Sequence, residues 1–230
     1  MLKFPSMWLK NASLGDQIAN ELRLRILENQ IKPGEVLSEN NIAGQYGTSR
    51  SPVRDALKAL SLDGLIRLER MGAVVLGMSL DDIQELYDIR EMIENFAQQK
   101  VSKKNVRLLV QELRQNIDKM ELAAKYDNHS EFAYYDLLFH ETIVRHAEHK
   151  RLLNLWNSMK PLLMSVILVT TERVFAQSAE HVHWVVSKHQ RIVEAIASQN
   201  DGLITKTVGR YFDDSKHTLT ESFDDVDRPK

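Results

Sequence analysis

Two constellations of side chains stand out by type and spacing. Asp136 and His140, in YYDLLFHETI, are four residues apart. On a helix that separation places a carboxylate and an imidazole on one face, an arrangement able to chelate a divalent metal such as zinc. Acid–histidine pairs of this kind are also common on solvated helix surfaces, and the spacing alone leaves both readings open. The second constellation is SRSPVRDAL, where Ser49, Arg50, Ser51 and Arg54 cluster at the exposed start of a helix. The planar fork of arginine donates two parallel bonds to guanine or phosphate, and a helix N-terminus with small hydroxyls adds phosphate contacts. That is the chemistry of a helix reading a major groove, although an ordinary core helix with a basic solvated face carries the same residues. Arg90, in LYDIRE, precedes Glu94 by four and is spaced for an intrahelical ion pair.

The elements that must position the arginines run from Val36 to Leu76. Ser38 is an N-cap candidate, Asn40 to Tyr46 forms a short helix with Ile42 and Ala43 inward, and Gly47 ends it. Thr48 and Ser49 open a second helix, with Pro52 in its first turn, where the missing amide proton costs nothing. Val53, Ala56, Leu57 and Leu60 make its apolar stripe. After Gly64, alternation at Ile66, Leu68, Val74 and Leu76 predicts a hairpin turning at Arg70-Met71-Gly72. Upstream, Ser13 caps a helix over 14–29 with Leu14, Ile18, Leu22 and Ile26 on one stripe. Arg23 and Arg25 lie off that stripe, on a solvated face or against phosphate. An apolar arm, 1–12, carries Phe4, Met7 and Trp8, and Trp8 is expected to pack on a domain or partner.

In this order the phrases S-R-S-P-V-R-D-A-L and G-L-I-R-L resemble the GntR family of bacterial transcriptional regulators, and the resemblance covers the whole chain. MWLKNAS, RLERMGAVV and DLLFHETI are most similar to the member that gives the family its name. The resemblance implies a mainly α protein: a winged helix-turn-helix domain over 1–78 and an all-α FCD-type bundle of six or seven helices over 79–222. It implies operator-DNA contacts from Ser38, Glu39, Thr48, Ser49, Arg50, Ser51, Pro52 and Arg54, with Met71 and Gly72 at a wing tip near the minor groove. Asn40 departs from relatives that carry a backbone-contacting arginine there. The bundle of this family commonly holds a divalent metal through Asp-x-x-x-His and two later histidines. Asp136, His140 and His189 match, whereas the last position is Tyr211, a poor zinc ligand, so either a metal with water or direct ligand binding is implied. The implied effector is a small carboxylate such as gluconate, with Arg90 facing its acid group; by their chemistry Asn95, Tyr134 and Tyr211 could supply neutral donors and acceptors to it, and the implied assembly is a homodimer on a two-fold site.

Composition agrees with such a division. Residues 1–78 hold 10 Lys+Arg against 8 Asp+Glu, while residues 79–230 hold 20 against 24. The excess positive charge sits in the amino-terminal part, and a sequence-independent DNA packager would need far more. The second part is helical in pattern throughout, with helices expected at 79–100, 103–126, 128–147, 150–176, 180–199 and 201–220, Pro161 kinking or dividing the fourth. An acidic tail, 223–230, closes the chain. There is no cysteine, no secretory signal pattern and no apolar run approaching membrane-spanning length, so a soluble cytoplasmic protein without membrane partners is expected. A metal-dependent hydrolase of sugar acids with a DNA-binding appendage is the competing reading, built on Asp136, His140 and His189. No nucleophile motif or general base stands beside that triad, and a non-enzymatic regulator is preferred.

Overall fold

The computed structural model describes residues 2–70 and 72–223; Met71 and the tail from 224 onward lie outside the described residues. The backbone divides between Ser79 and Leu80 into two compact units. Among the described residues there are ten helices and three strands.

The first unit contains α1 (Ser6–Leu9), α2 (Leu14–Leu27), β1 (Val36–Leu37), α3 (Glu39–Gln45), α4 (Arg50–Leu62), β2 (Ile66–Glu69) and β3 (Gly72–Val75). Ser13 and Asp16 close a reciprocal capping box at the start of α2. Gly15 lets α2 lie on the first turn of α4, since a Cβ there would stand 3.1 Å from the Pro52 carbonyl oxygen. Ile18, Leu22, Val53, Ala56 and Leu60 fill the resulting core. Leu14, expected on the buried stripe, is exposed. Arg23 is not on a solvated face: it is buried, its Nε donating to Asp63 at 2.7 Å and its Nη1 to Asn20 at 2.6 Å. An arginine so enclosed ties α2 to the end of α4 and is unavailable to phosphate. Ser38 and Ser49 occupy the N-cap positions of α3 and α4, but neither hydroxyl makes a capping bond.

The hairpin acquires a third strand that its sequence did not announce. β1 pairs antiparallel with β3, Val36 opposite Val74 and Leu37 opposite Ala73, giving the order β1-β3-β2. Gly72 makes this possible. Its φ of 146° is closed to most L-residues, and a Cβ would come within 3.0 Å of the Leu37 carbonyl oxygen. In the arm, the rings of Phe4 and Trp8 lie 6.3 Å apart.

The second unit is six helices: α5 (Leu80–Val101), α6 (Arg107–Lys125), α7 (His129–His146), α8 (Lys150–Gln177), α9 (Ala179–Ser198) and α10 (Asp201–Phe223). Pro161 neither ends nor divides α8. Its missing N–H deprives only the carbonyl of Asn157, an exposed residue whose backbone water can serve, so the helix runs on and the count stays at six. Phe223, assigned above to the tail, is the buried last residue of α10. The composition of α8 also corrects the expectation about apolar runs, because this helix is long and apolar enough to cross a membrane. With 56% of its most apolar window buried among its neighbours, it is the core helix of the bundle.

Candidate functional site

In the first unit, α3, α4 and the wing surround a cleft of about 480 Å³ lined by Ser38, Glu39, Arg50, Arg54, Arg70 and Gly72, among others. Ser49, Arg50, Ser51 and Arg54 are exposed, while Ser38, Thr48 and Pro52 are half-buried. The two arginines do not splay into solvent. Arg50 donates to Glu39 at 2.7 and 3.0 Å, and Arg54 donates to the same carboxylate at 3.1 and 3.2 Å. These bonds, Arg54 foremost and Arg50 next, hold the Glu39 carboxyl down from 4.5 to about 2. Because the folded value is depressed, the pairing is complete above pH 4.5 and is lost only as pH falls toward 2. One glutamate on α3 thus presets both forks and cancels one of their two charges.

A Glu39→Gln variant therefore releases the forks and raises the charge of the face by one. Non-specific DNA affinity is expected to rise several-fold at low salt, with operator preference reduced, as read by fluorescence anisotropy across a salt series. Unchanged affinity and selectivity would show that Glu39 has no part in setting the arginines.

In the second unit, the side chains expected to bind metal come together from α7 and α9. Asp136, His140 and His189 are buried, with one ligand atom of each lying within 4.8 Å of the others. His140 Nδ1 faces Glu94 Oε2 at 2.5 Å, and His189 Nδ1 faces the Val185 carbonyl at 2.8 Å. Carboxylate and carbonyl only accept, so both Nδ1 atoms carry the proton and both Nε2 atoms present lone pairs inward. The Nε2 atoms stand 3.2 Å apart, with Asp136 Oδ1 at 3.5 and 3.4 Å from them. That Oδ1 is buried and has no hydrogen-bond partner. Two lone pairs and a carboxylate turned on one another are repulsive unless positive charge lies between them, and this donor set fits a divalent cation. Tyr211 Oη is 2.9 Å from His140 Nε2, to which its hydroxyl can donate.

For His140 the electrostatics favour the same protonation state. Burial, opposed by Glu94, pulls the His140 imidazole down to about 4, so it is neutral at pH 7. Burial pushes the Asp136 carboxyl up, but the pull of His189 and His140, with Arg90 behind them, holds it well below the usual carboxylate range. Behind this group Arg90 is enclosed, its Nε donating to Glu94 at 2.7 Å and its Nη2 left without a partner. Both readings of Arg90 are therefore realised at once: it pairs with Glu94 and also lines an inner cavity.

That cavity, about 50 Å³, is bounded by Arg90, Asp136, Tyr211, Tyr87 and Lys188 with apolar and hydroxyl side chains of α8 and α10. Asn95 and Tyr134 are not among its lining residues. Asn95 accepts a bond from Gln99, and Tyr134 stacks edge-on with Tyr135. Lys188 escaped the sequence reading, although its place beside His189 in an apolar stretch, VHWVVSKH, was the available signal. Burial lowers its ammonium to about 8.

A three-helix winged reader joined to a helical bundle with a charged inner cavity is the build of a ligand-responsive DNA-binding regulator. Residues 14–76 match the bacterial regulatory proteins of the gntR family and residues 85–214 match the FCD domain, and the chain belongs to this GntR family of transcriptional regulators, which are not enzymes. It is 39% identical to the gluconate operon transcriptional repressor of Bacillus licheniformis over 93% of this chain and 88% of that one. The protein of the same name from Bacillus subtilis is 38% identical over the same shares. Among solved structures, E. coli McbR/YncC has the same fold, with a TM-score of 0.70 at 18% identity over 92% of this chain and 99% of that one.

Proposed function

We propose that this protein represses an operon for the use of gluconate or a related sugar acid, and that the acid itself releases it from operator DNA. The observation that carries the proposal is a cavity lined by Arg90 and Asp136, each with an unpartnered polar atom, beside the buried Nε2 atoms of His140 and His189. A carboxylate with neighbouring hydroxyls satisfies a set of this kind. The names of the two Bacillus relatives support the same class of effector.

Asp136, His140 and His189 would hold a divalent cation such as zinc, with Tyr211 alongside in place of a fourth imidazole. Such an ion, when bound, supplies a Lewis-acid anchor for carboxylate and hydroxyl oxygens. Arg90 would orient the acid group, and Tyr211 would donate to it. On the DNA side, Arg50, Ser51 and Arg54 would read base edges and phosphates in the major groove, with Ser38, Glu39, Thr48, Ser49 and Pro52 setting their approach and Gly72 carrying the wing. The working form would be a cytoplasmic homodimer. Ile89, Met92 and Phe96 on α5 and Leu155 on α8 are exposed, and the three on α5 form one stripe at i, i+3 and i+7, suited to burial against a second copy.

Effector binding would favour a dimer geometry whose reader helices no longer fit successive grooves, as differential affinity for two arrangements requires. In a mobility-shift assay, duplexes from beside the protein's own gene should be retained with two chains per site and released by gluconate or a related acid, but not by glucose. Retention that no sugar acid relieves would overturn the effector class.

A further inference from the structure

Lys188, on α9, is the charge in the inner cavity that the proposed function does not use. It is 5% exposed, and its Nζ lies 4.0 Å from the centre of the Trp184 ring and 5.2 Å from that of Tyr211. It makes no hydrogen bond or ion pair with any described residue. Aromatic faces ease a buried ammonium without neutralising it. Arg90 approaches the same Tyr211 ring, its Cζ 6.0 Å from the centre, and its Nη2 is the other unpartnered cationic donor of the cavity. Arg90 is directly paired with Glu94, whereas Lys188 makes no direct ion pair and feels the carboxylates of Asp136 and Asp214 only from farther off.

The position of Lys188 adds to this. Trp184 and Val185 line an outer pocket of about 340 Å³, which shares Val174, Val185 and Thr218 with the inner cavity. Lys188 lines the inner cavity, and its Nζ lies over the ring of Trp184, which lines the outer pocket.

We propose that Lys188 and Arg90 form a two-cation clamp on the acid group of the effector, and that Lys188 makes the site select sugar acids over the corresponding neutral polyols. This rests on the effector-binding reading above. An anion between the two cations relieves their mutual repulsion and gives Lys188 a direct ion-pair partner, whereas a hydroxyl does neither.

Titration calorimetry of the full-length protein with gluconate, 6-phosphogluconate and glucitol tests the clamp, using Lys188→Met to keep the side chain's bulk and Lys188→Arg to keep its charge. Wild type should bind an acid and give no heat with glucitol. Lys188→Met should weaken acid binding roughly 10- to 100-fold, with Lys188→Arg retaining most of it. Without ligand, Lys188→Met should melt at or above the wild-type temperature, because a buried charge without a direct ion pair has been removed. A merely structural lysine would instead lower the melting temperature. Wild-type acid affinity in Lys188→Met overturns the clamp alone. Failure of wild type to bind either acid overturns the sugar-acid reading and the clamp with it.

Discussion

An Arg50→Ala variant is expected to lose operator affinity by about three orders of magnitude while keeping the thermal stabilisation that effector gives. One bidentate contact carries roughly 2 kcal/mol of recognition, a two-fold site contains the contact twice, and every 1.4 kcal/mol is tenfold. The loss is sharpened by Glu39. With Arg50 gone, its carboxylate keeps only Arg54 as a partner and turns more negative charge toward the phosphates. Folding should be untouched, since the Arg50 side chain is 59% exposed and contributes no core packing. Anisotropy with operator duplex and a thermal-shift panel of carboxylates separate the two effects. Operator affinity within a few-fold of wild type would end the assignment of α4 as the reading helix.

The largest effect in the bundle is expected from His140→Ala. Glu94 is fully buried and lies between two partners, Arg90 and His140, both of which hold its carboxyl below the usual range against the opposing effect of burial. Removing the imidazole leaves one carboxylate oxygen without its donor and opens a cavity beside Tyr211. Stability should fall by about 3 kcal/mol, which for a chain of this size lowers the melting temperature by roughly 6–12 °C. Bound metal, measured on purified protein, should drop to background, and a chelator that lowers the wild-type melting temperature should leave the variant unchanged. Operator binding should persist and no longer respond to the acid. His140→Gln, which keeps an N–H for Glu94, should recover part of the stability without the metal. If His140→Ala bound metal normally, the three-residue ligand set would be wrong.

The fold was legible where a local rule acts without competition. The cap at Ser13, the stripe Val53–Ala56–Leu57–Leu60 and the left-handed Gly47 each depend on neighbours in sequence, and each element stands within a few residues of its expected place. What escaped depended on pairings distant in sequence. Nothing local marks Val36–Leu37 as a strand, because its partner lies nearly forty residues away and only two residues pair. Arg23 resembled a surface residue until Asp63, forty positions later, supplied a buried counter-charge. The candidate site shows the same division. Asp136 and His140 were visible as a pair on one helix, and His189 was visible through family resemblance. Lys188 was hidden because part of its enclosure comes from Tyr211 of α10, distant in sequence, along with Trp184 of its own helix. Asn95 and Tyr134 were proposed from chemistry alone, and the bundle turns them to other partners.

The short strand before α3 has a mechanical consequence. By stitching Val36 and Leu37 to β3, it joins the stem of the wing to the residues that lead into Glu39. Hairpin and reader assembly therefore behave as two prongs of one stiff fork. Were the first prong to engage a DNA groove, seating the second would require no further ordering of the backbone, so a contact too weak to matter by itself would add nearly its full strength.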